Sequence, residues 1–464
     1  MSIPSLSRSY VLSSGSPSHE EARLSSPLHT VARVLLIATL LGAPWAFGSV
    51  QPWAWGTLVV LSCLIVVLWA AGCAHQGVLR IGWSPLYWPF IGLLILAAVQ
   101  YFGGLTVDAV ATREALLKLF TNFALFFLAG QLFSPRPENG SALEWLGLAV
   151  TVLAFALCIA GLWQMFWGQE HVVLGSYAAH GTPFGPYVNH NDYAGIMEML
   201  LPISAAYLLS RSWNPLLLLL FWCGLGLGII SVWMSGSRGA TIVLLIEGLL
   251  WAGILLWSRP RGVSAGVFVV LFGVVLVSAV TFSWLVSTGR VGGRAWSVFE
   301  GNRSLEVTLG DRLKVSLDTL RMARSHPWSG VGVGGFESVF PNYMSFPMDW
   351  HWPHAHDDLV EAVAETGLPG AVMMAVAFFL FVGVAFRHIQ SRLRRSWGWL
   401  QMGATVGAVG LLCHSLVDFN LRIPANAAWF VVCLAVATHL RSTQDSRRTK
   451  VRDFSADPSR ELLT

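Results

Sequence analysis

Charged residues are scarce in this sequence. Asp, Glu, Lys and Arg account for 12% of the 464 residues, about half of the roughly 25% that soluble domains carry. Hydrophobic residues make up 55% and the mean hydropathy is +0.60, so a water-soluble enzyme would lack polar cover for its surface. The same composition excludes a disordered chain. A formal net charge of +4 is too small to indicate a nucleic-acid partner.

Cysteine is also scarce, with six residues and no CxxC pair. Each cysteine lies inside or at the edge of an apolar run, where a buried thiol behaves as a small hydrophobic group. The sequence therefore predicts neither a disulfide framework nor a cysteine-bound metal cluster.

Long apolar runs dominate what remains. A bilayer core of about 30 Å requires roughly 20 apolar residues per helix, and about twelve such spans are found. They begin near Val31, Trp53, Leu86, Leu116, Leu143, Tyr193, Pro215, Ala240, Val263, Leu368, Trp399 and Ala425. We predict an all-α polytopic membrane protein, with a polar tail at 1–30, a membrane domain at 31–441 and a second tail at 442–464. No small-residue cleavage site stands out, so the first span is interpreted as an uncleaved anchor.

The distribution of basic residues predicts the orientation, because Lys and Arg favour cytoplasmic loops. With the N-terminus inside, the inner connections carry most of the arginines, namely Arg80, Arg136, Arg211, Arg259, Arg261, Arg387, Arg392, Arg394 and Arg395. The short outer connections carry few: Arg113, Arg238 and Arg422. This alternation predicts an even number of spans and two cytoplasmic termini.

Two of the predicted outer segments are long, at 168–187 and 287–367. The second precedes the tenth span, and it is predicted to hold a helix that begins at Gly310 and ends before Pro327. Another short helix is predicted from Asp358 to Glu365, leading into that span. Long segments of this kind are usually functional.

Polar motifs concentrate at the outer ends of the spans, at 189–193, 235–239, 310–313 and 351–358. A charged or amide side chain there is costly and suggests a function. Arg238 has the two-pronged guanidinium geometry that grips phosphate, although an arginine at a span end also snorkels to the interface. Lys314, Arg321 and Arg324 are interpreted as a solvated helix face. Glu198 and Glu247 lie inside predicted spans, so an ion pathway remains a further hypothesis.

The run from His354 to Asp358 permits several interpretations. His354-Ala-His356-Asp357 begins like the H-x-H-x-D-H ligand run of metallo-hydrolases, but Leu359 stands where the last His belongs, and donors alone do not fix a metal site. A single neutral His acting as general base beside an orienting carboxylate is the second interpretation. The third is a histidine held in a loop for structure.

The nearby Gly330–Gly335 contains GxGxxG outside any βαβ unit, which predicts a tight bend rather than a dinucleotide site.

Taken together, these motifs resemble the signature of the bacterial O-antigen ligase and O-antigen polymerase superfamily. The resemblance rests on five segments in order: Val188–Pro202, Ser235–Ala240, His326–Phe336, Ala355–Gly370 and His414–Pro424. One departure is visible, since Asp357 stands where the family commonly has Asn.

The resemblance implies a metal-independent, inverting glycosyltransferase of the bacterial inner membrane that needs no cofactor. It implies a donor glycan on undecaprenyl diphosphate and, as acceptor on the periplasmic side, either the lipid A core or a growing polysaccharide. Carried over by motif, His356 matches the essential loop histidine, and Arg238 and Arg312 match the arginines assigned to the diphosphate. Asn189, Asn191, Asp357 and Asp358 are the possible supporting residues. Ligase and polymerase share these motifs, so the choice between them stays open.

The competing hypothesis is a transporter or flippase, which the number of spans and the cytoplasmic termini suggest. Transporters usually carry broken helices and polar groups near mid-membrane, whereas the polar motifs of this sequence collect at the outer ends.

Overall fold

The fold is a helical bundle, seen in a computed structural model that describes residues 10–13, 26–134, 142–167, 182–211, 213–258, 309–346, 352–387 and 389–438. The helices are α1 (Pro27–Gly42), α2 (Pro52–Gln76), α3 (Tyr87–Phe102), α4 (Ala109–Leu132), α5 (Ala142–Trp167), α6 (His190–Leu209), α7 (Pro215–Met234), α8 (Arg238–Ser258), α9 (Leu309–Ser325), α10 (Phe336–Val339), α11 (Asp358–Ala385), α12 (Ile389–Arg392), α13 (Ser396–His414) and α14 (Pro424–Thr438). Short 3-10 turns occupy Ala43–Trp45, Phe47–Ser49, Phe340–Asn342 and Asn420–Arg422. A small antiparallel pair joins strands β1 (Tyr10–Ser13) and β2 (Val78–Ile81).

The predicted polytopic helical architecture is confirmed. Within the described residues, seven helices are long and apolar enough to cross a membrane: α1 with the turn after it, α2, α4, α5, α7, α8 and α11. The shorter helices α3 and α14 are apolar as well. The predicted span near Val263, the loop up to residue 308, most of the predicted outer segment at 168–187, most of the N-terminal tail and the whole C-terminal tail lie outside the described residues. The number twelve therefore stays a prediction.

Helices α6 and α13 form the centre of the bundle. Nearly every residue of α6 is buried, and α13 is buried from Gly398 to Ala408. The two helices approach closely because α13 has glycines on the contact face. A Cβ on Gly407 would lie 2.8 Å from the Met199 Cα, and one on Gly403 would lie 2.7 Å from the Pro202 carbonyl oxygen. Small residues allow such backbone contact between apolar helices.

Two predicted boundaries differ from the structure. Helix α4 begins at Ala109, well before Leu116, because the Asp108 carboxylate caps it and accepts from the Val110 and Ala111 amides at 3.0 Å each. The predicted short helix at 358–365 and the tenth span are one helix, α11, with a kink at Gly367 (φ 65°, ψ −164°). Only glycine adopts that conformation readily, and it lets the Leu368 amide donate to the Pro327 carbonyl at 2.7 Å.

The helix predicted between Gly310 and Pro327 is present as α9. Its buried face, however, carries Val315 and Met322, whereas Leu313 and Leu317 are exposed. The leucine spacing indicated a helix correctly but did not identify the side that packs.

The connections predicted to share the outer face meet at one end of the bundle, which we call the site end (residues 103–108, 235–237, 352–357 and 415–423). The Val107 amide donates to the Val331 carbonyl at 3.1 Å, and Arg312 reaches the Val417 carbonyl. The glycine run forms the predicted tight bend, with positive φ at Gly330, Gly332 and Gly334. It lies against the α11 kink, where the Gly332 amide donates to the Glu365 carbonyl at 3.1 Å.

Candidate active site

His356 lies two residues before α11, with a left-handed backbone (φ 54°) that His tolerates better than most residues. Its Nδ1 is 3.3 Å from the Asp418 Oδ1, and its side chain is 11% exposed. The ring meets Trp352 and Phe419 edge-on, at centroid distances of 5.5 and 4.8 Å. A carboxylate and two aromatic rings therefore fix the orientation of the imidazole.

Arg312, in the first turn of α9, reaches the same carboxylate. Its Nη1 donates to the Val417 carbonyl at 2.7 Å and lies 3.3 Å from the Asp418 Oδ2. Both contacts use Nη1, and Nη2 has no hydrogen-bond partner among the described residues. The structure thus brings Arg312 and His356 together on the two oxygens of one carboxylate.

Asp418 is a candidate site residue that sequence reasoning did not single out. Burial alone would raise the pKa of its carboxyl, but the hydrogen bond with His356 and the charge of Arg312 outweigh burial, so the pKa lies well below its ordinary value. A fixed negative charge therefore stands between an arginine and a histidine. The available signal was the position of Asp418 in His414–Pro424, one of the five segments that carry the resemblance, but its partner His356 lies 62 residues away.

Arg238 is the exposed first residue of α8. Ser237 caps this helix, with its hydroxyl oxygen accepting from the Ala240 amide at 3.3 Å. The next residue, Gly239, packs on the segment that holds Arg312, since a Cβ there would lie 3.4 Å from the Val417 Cγ2. Arg312 and the residue next to Arg238 therefore both contact Val417, from different helices at the site end. An arginine at a helix N-terminus combines two features that favour an anion.

The four residues predicted to support the site cap helices or are buried in their first turns. Asn189 caps α6 by accepting from the Asn191 amide at 2.9 Å, and Asn191 is buried in the first turn. Asp357 caps α11 through the Leu359 and Val360 amides, at 3.1 and 3.0 Å. Asp358 is buried and accepts from the Leu421 amide at 2.8 Å. The carboxylate that orients His356 is therefore Asp418 rather than its neighbour Asp357.

His354 belongs to a separate ion cluster. Its Nδ1 lies 3.0 Å from the Glu361 Oε1. The Arg422 guanidinium contacts the same oxygen at 3.2 Å, the Glu365 Oε2 at 2.8 Å and the Asp358 Oδ1 at 3.8 Å. The three acids share one face of α11, so they tie the Asn420–Arg422 turn to this helix. Sequence reasoning assigned Arg422 no role beyond its place in an outer connection.

The rings of His354 and His356 lie on Phe419, each with a centroid distance of 4.8 Å. Their Nδ1 atoms are directed to different carboxylates, Glu361 and Asp418. Each histidine of the H-x-H run is thus paired with its own carboxylate. Among the described residues, no group of three His, Cys, Asp or Glu side chains is arranged as a metal site.

A third set of titratable groups lies deeper in the bundle. The His414 Nδ1 is 2.9 Å from the Glu198 Oε1, and both side chains are buried. Glu247 lies against α13, since a Cβ on Gly410 would meet its carboxylate. This set connects α6, α8 and α13 beneath the site end.

Fold and site together define a polytopic helical protein of membrane type whose polar site is built at one end of the bundle. Residues 223–375, about a third of the chain, match the family model described as O-antigen ligase, which confirms the resemblance to the O-antigen ligase and polymerase superfamily. The matched segment contains Arg238, Arg312 and His356. Comparison with curated proteins found no match. The family implies a bacterial membrane enzyme of glycosyltransferase type, with lipid-linked glycan and polysaccharide substrates.

Proposed function

We propose that the protein is an inner-membrane glycosyltransferase that moves a glycan from undecaprenyl diphosphate to an acceptor hydroxyl on the periplasmic side. One observation carries the proposal: a histidine and an arginine hold the two oxygens of one buried carboxylate, Asp418. This arrangement suits proton removal beside a departing anion.

The proposed reaction is a direct displacement with inversion. Asp418 accepts from the His356 Nδ1–H, so the Nε2 lone pair is available to the acceptor hydroxyl. As Nε2 takes the proton, the hydroxyl oxygen forms a bond to the anomeric carbon. The bond from that carbon to the diphosphate oxygen breaks, and the diphosphate leaves with the electron pair. The negative charge of Asp418 stabilises the imidazolium that results.

The two arginines have the complementary role. Arg312 and Arg238 lie on different helices at the site end, and guanidinium groups bind phosphate oxygens through paired hydrogen bonds. Fixed positive charge in a poorly solvated site stabilises the leaving diphosphate more than it would in water. This chemistry requires no metal ion to accept the leaving charge.

The distribution of arginine supports a periplasmic site. The site end consists of connections that the basic-residue rule assigns to the outside, and the arginine-rich connections lie at the opposite ends of the same helices. Both termini are then cytoplasmic. The acceptor is the lipid A core for a ligase or a growing polysaccharide for a polymerase, and gene deletion separates these two. Short chains that are still attached indicate a lost polymerase, and full-length unattached chains a lost ligase.

Replacement of the base tests the proposal directly. We expect His356→Ala to abolish glycan transfer in membranes supplied with lipid-linked donor, at an unchanged level of inserted protein, because the variant lacks the group proposed to accept the hydroxyl proton. His75→Ala is the matched control, since His75 is exposed near the opposite end of α2 and should retain full transfer. Undiminished transfer by His356→Ala would remove His356 from the mechanism.

The buried Glu198–His414 pair favours one competitor, an ion-coupled transporter, because titratable groups inside a bundle mark ion pathways. Purified protein in proteoliposomes separates the two activities. Solute uptake without any glycan transfer would support the transporter and contradict the enzyme.

A further inference from the structure

A cavity of about 370 Å³ opens between α2 and α4 at the site end. One side of it is apolar, with Trp55, Leu58 and Val59 of α2. The other side is polar and receives Arg422 and His354 from the ion cluster described above. A concave site with one apolar wall and a few convergent polar groups is typical of small-molecule recognition.

The polar side continues along α4. Glu114, Lys118 and Asn122 line the cavity and recur every four residues, so they form one polar stripe on a largely apolar helix. Lys118 is one of only three lysines in the chain, and it lies nine residues, about 14 Å, into α4. Its Nζ lies 5.1 Å from the centre of the Trp55 ring. A cation directed inward from a membrane helix marks a functional site.

The charges of the cavity fit a neutral polyhydroxyl ligand better than a phosphate. Lys118 and Arg422 are matched by Glu114 and Glu337 on the same wall, and Arg422 is already held by the acids of α11. An anion would therefore meet carboxylates. Sugar hydroxyls both donate and accept, so they pair with carboxylates, the amide and the ammonium group alike. The Trp55 ring offers a flat apolar face, which aromatic side chains commonly contribute to such contacts.

The position of the cavity relative to His356 indicates which sugar it takes. Contacts run in order from Arg312 to Asp418, to His356, to Phe419 and to His354, and His354 lines the cavity. Arg312 and the cavity thus stand at the two ends of this chain of contacts, with His356 between them. In an inverting displacement the acceptor and the leaving group need separate places, and the two ends of this chain of contacts offer them: the cavity for the acceptor and Arg312 for the diphosphate.

We propose that the cavity between α2 and α4 binds a sugar residue of the acceptor glycan and presents its hydroxyl to His356. This inference rests on the proposed glycosyltransferase function. It assigns the stripe Glu114, Lys118 and Asn122 to recognition of the acceptor and leaves the donor diphosphate to Arg238 and Arg312.

Steady-state transfer in membranes tests this assignment. The acceptor is supplied as membranes of a strain that lacks the protein, and the donor as an extract of lipid-linked glycan, each varied in turn. Lys118→Met removes the ammonium group, and Asn122→Trp fills the cavity. We expect both variants to raise the acceptor level needed for half-maximal rate by about tenfold or more, with the donor level unchanged.

Two controls separate binding from stability. Lys118→Arg keeps the charge and should restore most of the acceptor affinity. Lys314→Met removes a lysine from α9 that is 57% exposed and also lies over an aromatic ring, and it should change neither substrate. Equal inserted amounts of each variant are verified by immunoblot.

The cavity assignment and the proposed function can fail separately in these experiments. Unchanged acceptor dependence in Lys118→Met and Asn122→Trp, while His356→Ala is inactive, would overturn the cavity assignment alone. A raised requirement for donor rather than acceptor would also overturn it, since the cavity would then hold the donor. Full transfer by His356→Ala would contradict the proposed function itself.

Discussion

Asp418 holds the Arg312 guanidinium group and the His356 imidazole together in one small site. Its carboxylate is buried and contacts His356 through Oδ1 and Arg312 through Oδ2. The Phe419 amide also donates to Oδ1 at 2.9 Å, so the carboxylate is anchored by its own backbone. Removing one member of such a buried group leaves the other charges uncompensated. The neighbour Asp357 has the more ordinary task of capping α11.

We predict that Asp418→Asn lowers glycan transfer by roughly 100-fold or more. The amide is neutral and can present its NH2 group to the imidazole, which favours the wrong tautomer for a base and removes the charge that stabilises the imidazolium. Transfer rates in membranes, at equal protein levels, measure the effect. Asp357→Asn is the matched control, because an Asn caps a helix nearly as well as an Asp. Equal losses in both variants would argue against the role of Asp418.

The depressed pKa of Asp418 also predicts a pH signature for stability. A carboxyl whose pKa is lower in the folded than in the unfolded protein stabilises the fold above its unfolded pKa, and this contribution is lost as the pH falls toward the folded value. The ordinary pKa is 3.8. The stability advantage of the wild type over Asp418→Asn should thus stay constant above about pH 5 and shrink below about pH 4. Thermal unfolding in detergent tests this, and an advantage that grows on acidification would contradict it.

At the scale of elements, glycine on α13 and ion pairs on α11 set the geometry of the site. Gly403 and Gly407 let α13 approach α6 at backbone distance, and the end of α13 delivers the segment that contains Asp418. On α11, Asp358, Glu361 and Glu365 hold Arg422 and thereby the turn just after Asp418. Asp418 is therefore held in place by α13 on one side of it and, through Arg422, by α11 on the other.

We predict that Gly407→Ala destabilises the protein by about 1–3 kcal/mol. The new Cβ would lie 2.8 Å from the Met199 Cα and 3.0 Å from its carbonyl oxygen, and neither atom can rotate away. Gly383→Ala is the matched control, since nothing lies within 4 Å of its Cβ position on α11. The melting temperature in detergent should fall for the first variant and hold or rise for the second. Equal melting temperatures would show that the helices α6 and α13 separate at little cost.

At the scale of the whole molecule, the end of the bundle opposite the site end is held together in part by a buried arginine. Arg392, near the opposite end, is buried and donates to the carbonyls of Val384, Ala385 and Ala437. It therefore satisfies the ends of α11 and α14, where a cation also meets the helix dipoles. Arg392, which the sequence placed in an inner connection, therefore links two helices of the bundle.

Cysteine labelling tests the proposed orientation of the bundle. We expect a membrane-impermeant maleimide, applied to cells with a permeabilised outer membrane, to label Ser325→Cys at the end of α9. His75→Cys, near the opposite end of α2, should stay unlabelled until the inner membrane is opened. Both residues are exposed, and the parent chain sets the background from its six cysteines. The reverse pattern would place the site on the cytoplasmic side.

The sequence alone determined the helical membrane-type architecture, the approximate start of most spans and the set of connections that share one end. Hydropathy and basic-residue counts carry that information because each span meets the bilayer independently. The motifs also identified His356, Arg238 and Arg312 as candidates. Only the tertiary structure decided that Asp418 joins His356 to Arg312, and that α6 and α13 are central. Lipid and protein interior are equally apolar, so periodicity does not reveal which face of a span is buried, and contacts across 62 to 106 residues arise only when the helices pack.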